Sequence, residues 1–421
     1  MRSAVFALIA VLCVGTCASP GAVITIVGPL AERYPGNEFY AEEMARFPGP
    51  ESIKLVPQLM GVDQVIELIR IGGSAPPYDI LWGNNALIIE YAKNGWLMPL
   101  DDYIQRYWDV YDFGDIPQGI WDAVSYEGRI YAIPSIVNVM VFFYRADLFT
   151  KYGLEPPQTL YEYELLARLL EELEPNIAGT VLTYKPADPL SNDFHALLAA
   201  FGGKWFDESN FPAFNRAEGI KTAEFMKRMM EFMPRGVLSY GSDEGMVALQ
   251  QGKAATAIHW LTRCAAMDNP DVSTVVGKIA YSVPPTGTVG GFPASKLPVD
   301  AFAIPAVVPC GNPDLVFRVI AEALDKESMI RAAEYGYPAR SSVSSDPALI
   351  AQYRYWPTAK ATIDAGAQAY PPVVPFIVYS DTVMSYLAQY LAGELSVVEV
   401  LDRAAAEVLR LERENGALPP G

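Results

Sequence analysis

Residues 126–172 read YEGRIYAIPSIVNVMVFFYRADLFTKYGLEPPQTLYEYELLARLLEE. Glu127-Gly128-Arg129 is turn chemistry, and the apolar β-formers after it end at Pro134. A second apolar run ends at Tyr144, which predicts two consecutive strands. A helical turn over 148–152, a stop at Gly153, the Pro156-Pro157 pair and a helix start at Thr159 follow.

Working outward, the same alternation of strand and helix patterns covers the whole chain, which predicts an α/β protein. Toward the N-terminus, strands are expected at 23–27, 53–57 and 78–82, with helices at 38–46, 62–71 and 86–94 between and after them. Gly83-Asn84-Asn85 forms a turn at the carboxyl end of the third strand. Toward the C-terminus, Asn215 and Glu218 have capping-box spacing. Ile220, Ala223, Met226, Met230 and Met233 then fall at helical intervals, a core stripe. Ser242 to Gln251 reads as a helix stopped by Gly252, and 254–258 as a small-residue strand before His259-Trp260. A returning strand is expected at 301–308. Asn312-Pro313 starts a helix, and Ser396 with Glu399 caps the last one. Gly416 and Pro419-Pro420 end it.

With 421 residues and 51% hydrophobic content, the chain exceeds what one domain usually holds, so two lobes are expected. A net charge of −18 argues against nucleic acid, since phosphate binding needs clustered Lys and Arg. Met1-Arg2, an apolar run over 4–14 and small residues at Thr16, Ala18 and Ser19 read as a secretion signal over residues 1–18. A lipid anchor on Cys17 is the competing reading. Beyond the signal, the most apolar stretch is 130–144, interrupted by Pro134, Ser135 and Asn138 and too short to span a bilayer. Cys264 and Cys310 remain after Cys13 and Cys17 go with the signal. An oxidising compartment permits a bridge between them, but two buried thiols are expected. With only His195 and His259 and no close Cys/His spacing, no metal site or cofactor is expected.

The 126–172 stretch resembles extracytoplasmic solute-binding proteins of ABC importers, the maltose-binding-like branch of family 1. That pattern runs G-x-x-Y-x-x-P, a tyrosine-ended strand, then D-L-F-x-x-x-G-L-x-x-P-x-T-x-x-E. The chain keeps it at Gly128, Tyr131, Pro134, Tyr144, Asp147, Leu148, Phe149, Gly153, Leu154, Pro157, Thr159 and Glu162. Leu160 and Tyr161 stand where the family often has Trp-Asp. Further blocks are similar in the same order. They are the 78–102 strand, helix and G-x-L-x-P-L-D; Gly252, Lys253, Ala255 and Trp260; the helix from Asn312-Pro313; and the Pro338-Ala339-Arg340 turn.

The resemblance implies a two-lobed, type II periplasmic-binding-protein-like fold with a ligand cleft between the lobes. Lobe 1 is expected over 23–135 with a returning segment 302–350, and lobe 2 over 136–301. The helices of 351–421 are expected to pack across the lobes. The implied function is binding of a carbohydrate (sugar, oligosaccharide or sugar alcohol) in the periplasm and its delivery, by hinge closure, to ABC permease membrane subunits. The binding protein itself is expected to be a monomer.

Sugar recognition needs an aromatic face for the C–H side of the ring and planar polar groups for the hydroxyls. The resemblance places Trp260 as the stacking residue, with a core tryptophan the competing reading. Asn84 and Asn85 are candidate donors at a strand end, or plain turn residues. Asn138 is a polar amide in an apolar run, needing a ligand hydroxyl or a backbone partner. Gly290, Gly291 and Phe292 resemble a G-G-W element whose backbone N–H groups approach ligand. Arg340 matches the P-x-R arginine, or else holds lobe structure. Trp205 and Asp193 complete the candidates, while Trp82, Trp96, Trp108, Trp121 and Trp356 read as packing.

Two rivals stay open. An acidic cleft with aromatic walls would suit a polyamine. A secreted glycoside hydrolase would need two carboxylates flanking a sugar bond, but no G-x-S-x-G elbow, H-E-x-x-H or Walker loop is present, so no enzyme is expected.

Overall fold

The computed structural model describes residues 23–28, 35–47, 54–59, 62–74, 76–372 and 375–414. The expected signal over 1–18, with Cys13 and Cys17, lies outside them, as do Gly416 and Pro419-Pro420. The main strands, in chain order, are β1 (Val23–Gly28), β2 (Lys54–Leu59), β3 (Ile80–Asn84), β4 (Ala132–Val137), β5 (Met140–Arg145), β6 (Thr256–Trp260), β7 (Ile279–Ser282), β8 (Val299–Ala303) and β9 (Tyr337–Pro338). The chain divides into two units. Unit 1 takes Met1–Val137 and Val299–Asp346, and unit 2 takes Asn138–Pro298 and Pro347–Gly421. The chain therefore passes from one to the other three times, and the helices after residue 346 belong to unit 2.

Unit 1 holds a six-stranded sheet in the order β9-β4-β8-β3-β1-β2. β1 pairs in parallel with β2 and β3, while β8 runs antiparallel between β3 and β4. The near-continuous apolar run of β1 suits a strand covered on both faces, and Ile24, Ile26 and Val27 are fully buried. Pro57 is tolerated because β2 is an edge strand.

Pro134 does not end its strand, contrary to the sequence expectation. β4 continues through it to Val137, and the register against β8 shifts between Asp300 and Ala301. Ser135 is the extra residue of this bulge. Its hydroxyl donates to the Asp300 carbonyl at 3.0 Å, and its own carbonyl accepts from Ala339 N at 3.2 Å. The proline's missing N–H thus falls where the ladder is already interrupted. The Pro313–Ala323 helix starts as expected, Asn312 Oδ1 accepting from Leu315 N at 3.1 Å.

Unit 2 is built on a three-stranded antiparallel sheet in the order β6-β5-β7. Bridges Ala178↔Ala254 and Val181↔Ala257 add a parallel segment beside β6. Gly153 ends the Ala146–Tyr152 helix at φ 65°, a left-handed conformation that favours glycine. The Leu160–Leu173 helix then opens with a reciprocal cap: Glu162 N donates to Thr159 Oγ1 at 3.2 Å, and Thr159 N donates to Glu162 Oε2 at 3.0 Å.

The Asn215 capping box is not formed. The Ala217–Met229 helix starts one residue later, after Arg216, and Asn215 instead donates to Asp402 Oδ1 at 2.9 Å on the Val397–Glu414 helix. That helix does use Ser396, whose Oγ accepts from Glu399 N at 3.3 Å. Cys264 and Cys310 are buried and not joined in a disulfide, one in each unit.

Candidate functional site

In unit 1, β3 delivers two asparagines to its carboxyl end, where open α/β sheets present ligand-binding loops. Asn84 is the N-cap of the Asn85–Lys93 helix, its Oδ1 accepting from Leu87 N at 3.2 Å. Asn85 is buried, and its Oδ1 accepts from Val299 N at 3.3 Å, which pins the start of β8. Asp300, absent from the sequence candidates, stands opposite Asn84 in the β3–β8 ladder and is half-buried. Asn84 and Asp300 thus bring an amide and a carboxylate to one strand end.

Arg340 is engaged inside unit 1, in line with the structural alternative left open for it. It is 1% exposed and donates to three carbonyls: Nε to Leu324 at 3.0 Å, Nη1 to Asp112 at 2.8 Å and Nη2 to Tyr111 at 2.8 Å. Burial lowers its pKa from the ordinary arginine value, opposed by the charges of Asp115, Asp112 and Asp325.

In unit 2, Trp260 is the last residue of β6 and is half-buried. It pairs with Met140 across the ladder, and Leu261 N donates to the Val139 carbonyl at 2.8 Å. That register brings Asn138 beside Thr262, with Asn138 Nδ2 3.5 Å from Thr262 Oγ1. The Asn138 Oδ1 atom is buried and has no hydrogen-bond partner among the described residues. An aromatic face and an acceptor lacking a donor therefore share one end of the sheet.

The backbone under Trp260 is fixed by His259. Trp260 N donates to His259 Nδ1 at 2.7 Å, so the ring proton sits on Nε2 and donates to the Ser242 carbonyl at 2.9 Å. Burial, and then the charge of Arg263, push the His259 pKa down to about 4, so the ring is neutral.

A second buried network lies behind. Lys296 is 4% exposed, and its Nζ donates to Asn192 Oδ1 at 2.6 Å, 3.4 Å from the centroid of the Tyr370 ring and 5.7 Å from that of Trp260. Tyr370 Oη donates to the same Asn192 oxygen at 2.9 Å. Trp205 lies in the interior of unit 2. It is buried, and its indole N–H donates to His195 Nδ1 at 2.9 Å. His195 Nε2 then donates to the Gln368 carbonyl at 3.1 Å, and burial followed by the Lys296 charge pushes its pKa down to about 3.

Asp193 is also interior. Its Oδ2 accepts from Thr183 N at 2.6 Å and from Thr183 Oγ1 at 2.9 Å, and burial pushes its pKa up to about 7. Gly290, Gly291 and Phe292 line a different cleft, about 320 Å³, against Ala199–Gly202 and Ala365. The Gly291 N–H is engaged by the Thr288 carbonyl at 2.9 Å within a turn, rather than presented outward. Of the tryptophans assigned to packing, Trp82, Trp121 and Trp356 are buried, while Trp108 is 43% exposed.

Sequence reasoning missed Asp300, Lys296 and Tyr370. Asp300 was findable as the residue opening the returning strand. Lys296 and Tyr370 meet only through the fold.

Two α/β units, each interrupted in sequence by the other, with candidate polar and aromatic groups at strand ends, define the class: the fold of two-lobed periplasmic solute-binding proteins. It is shared at TM-score 0.82 with an ABC transporter solute-binding protein from Agrobacterium radiobacter K84 solved with ribitol, at 23% identity over 94% of this chain and 100% of that one. Maltose-bound MalE3 of T. maritima gives 0.79 at 21% identity, covering 92% and 99%. Among curated proteins, the mannitol-binding protein of Pseudomonas aeruginosa is 27% identical over 220 residues, 51% of this chain and 49% of that protein. A probable amino-acid ABC transporter periplasmic-binding protein of Sinorhizobium fredii is 24% identical over 283 residues, 66% and 60%. The chain thus spans only about half to three-fifths of the length of these two relatives. Residues 34–329 match the family described as bacterial extracellular solute-binding protein, and the chain belongs to that family.

Proposed function

We propose that this protein binds a carbohydrate, a sugar alcohol or small sugar foremost, in the periplasm and hands it unchanged to the membrane subunits of an ABC import permease. The two units close on the solute and open to release it, so that ligand selects a closed state the permease recognises. One observation carries the reading: the half-buried Trp260 ring and the donor-less Asn138 Oδ1 share the Met140–Trp260 end of one sheet. Stacking takes the C–H face of a polyol or sugar, and the amide oxygen takes a hydroxyl proton. The mannitol-binding relative and the ribitol-bound neighbour support a polyol. Among the described residues no helix is long and apolar enough to cross a membrane.

A thermal-shift panel of polyols, mono- and oligosaccharides, polyamines and amino acids tests it. A ligand at 100 times its Kd stabilises by about 2.7 kcal/mol, so one polyol or sugar should raise the Tm by several degrees. A shift with polyamines or amino acids alone would overturn the reading.

A further inference from the structure

The Lys296 ammonium is a built feature of unit 2, buried and fixed at every point. Its backbone carbonyl accepts from Met140 N at 3.4 Å, and the preceding Ser295 Oγ donates to the Met140 carbonyl at 2.7 Å. Its Nζ is oriented by Asn192, whose amide in turn donates to Asp188 Oδ2 at 2.9 Å. Tyr370, which contributes the nearest ring, is itself fixed by Asn192 and by Ser191 Oγ at 3.0 Å. The cation therefore lies over two aromatic rings, that of Tyr370 at 3.4 Å and that of Trp260 at 5.7 Å from the centroid. Each ring offers a cation the negative side of its quadrupole.

We propose that Lys296 is a specificity-determining residue that sets the charge preference of the Trp260 face: neutral polyols and carboxylate-bearing sugar acids are accepted there, and amines are refused. This rests on the reading of Trp260 as the solute platform. A solute stacked on the open side of the indole would lie roughly 9 Å from Nζ; at an effective dielectric of about 20, that separation disfavours a cation about twentyfold and favours an anion by the same factor. The neighbouring charges are arranged to leave this preference standing. Among the described residues, Arg263 is paired with Asp243 at 2.9 Å and the imidazole of His195 is neutral; of the carboxylates that act on Tyr370, Asp188, which accepts from the Asn192 amide, and Asp381 are exposed and screened by solvent, while burial pushes the Asp193 carboxyl up to about 7. The preference runs against the net charge of −18, which draws cations to the molecule as a whole.

The test has two arms. In the first, iodide and caesium quench the Trp260 fluorescence, isolated as the difference between wild type and Trp260→Phe, with no solute present. Relative to N-acetyltryptophanamide, which gives the iodide-to-caesium ratio of an indole with no charged neighbour, the ratio at Trp260 should be several-fold higher, falling to the reference in Lys296→Met and returning in Lys296→Arg. A wild-type ratio no higher than that of N-acetyltryptophanamide would overturn the proposal, and needs no Lys296 variant to fold. In the second arm, calorimetry with D-glucitol, D-gluconate and D-glucamine compares one six-carbon skeleton in three charge states. A gluconate-to-glucamine affinity ratio of about 400, the product of the two twentyfold factors, is expected in the wild type, falling at least tenfold in Lys296→Met. Glucamine binding as well as gluconate would also overturn it. If the iodide preference holds but no polyol or sugar binds, the carbohydrate reading fails while the charge preference of Trp260 stands.

Discussion

Arg340 donates its Nη2 proton to the carbonyl of Tyr111 at 2.8 Å, and the same guanidinium holds the carbonyls of Asp112 and Leu324. Asp112 has left-handed backbone, φ 48°, so the chain there follows a path that few non-glycine residues take. Three carbonyls left facing an apolar replacement each lose a charge-assisted donor. Arg340→Met should therefore cost about 3–5 kcal/mol of stability, in the range for breaking a buried charged network. Urea denaturation measures it. A loss below about 1 kcal/mol would show that the arginine does not hold this turn.

Asp193 should make unit 2 more stable in acid than at neutrality. Its carboxyl has pKa about 7 in the folded protein against an ordinary 3.8. The native state thus binds the proton more tightly than the unfolded chain does. The stabilisation is complete below about pH 4 and is lost as pH rises through about 7. At about 1.4 kcal/mol per unit, the span is about 4 kcal/mol. Asp193→Asn keeps an acceptor for Thr183 and removes the titration. The difference in unfolding free energy between wild type and variant should slope between pH 4 and 7 and level off on either side. A flat difference would refute it.

Gly287 has a neighbour that forbids a side chain. An ideal Cβ there would lie 2.2 Å from the Ala200 carbonyl oxygen, and Gly287 N donates to that same carbonyl at 3.0 Å. Backbone on both sides leaves nothing flexible to yield. Gly287→Ala should displace the 287–292 loop and cost about 2–3 kcal/mol, as overpacking does. Gly128→Ala is a useful contrast, since its Cβ would meet nothing within 4 Å and only the strain of φ 76° remains. Its smaller loss, about 1 kcal/mol, should be resolved by the same thermal melts.

The parts of this fold legible in the sequence are those whose cause is local. Gly153 and Thr159 bound helices through their own backbone and side chains, so the 126–172 stretch reads correctly there. Pro134 misleads because the bulge that accommodates it is defined by β8, whose Asp300 lies 165 residues beyond Ser135. Asn215 misleads likewise: as a cap it has the right spacing, yet Asp402 arrives from another helix and takes its amide. The same limit applies to the candidate site. Trp260 is marked by its place after a small-residue strand, whereas Arg340, Trp205 and Asp193 show their interior roles only once Tyr111, His195 and Thr183 are beside them. Lys296 carries no local signal, since its cage is assembled from Asn192, Tyr370 and Trp260.

Trp260 and Asn138 should act on a bound polyol or sugar as a coupled pair. Losing the ring in Trp260→Ala removes the stacking face and should weaken binding about tenfold or more, since an aromatic stack of about 1.5 kcal/mol corresponds to that factor. Asn138→Ala removes the buried oxygen and leaves a ligand hydroxyl without its acceptor, at a cost of about 1–3 kcal/mol. Because the Met140–Trp260 register holds both at one sheet end, a solute misplaced by one loss gains less from the other group. The double variant should then lose less than the sum of the two single losses, by about 0.5 kcal/mol or more. Calorimetry on all four proteins with the solute found in the thermal-shift panel gives the coupling. Strict additivity would place the two residues in separate sites, and no loss in either variant would move the solute away from this face altogether.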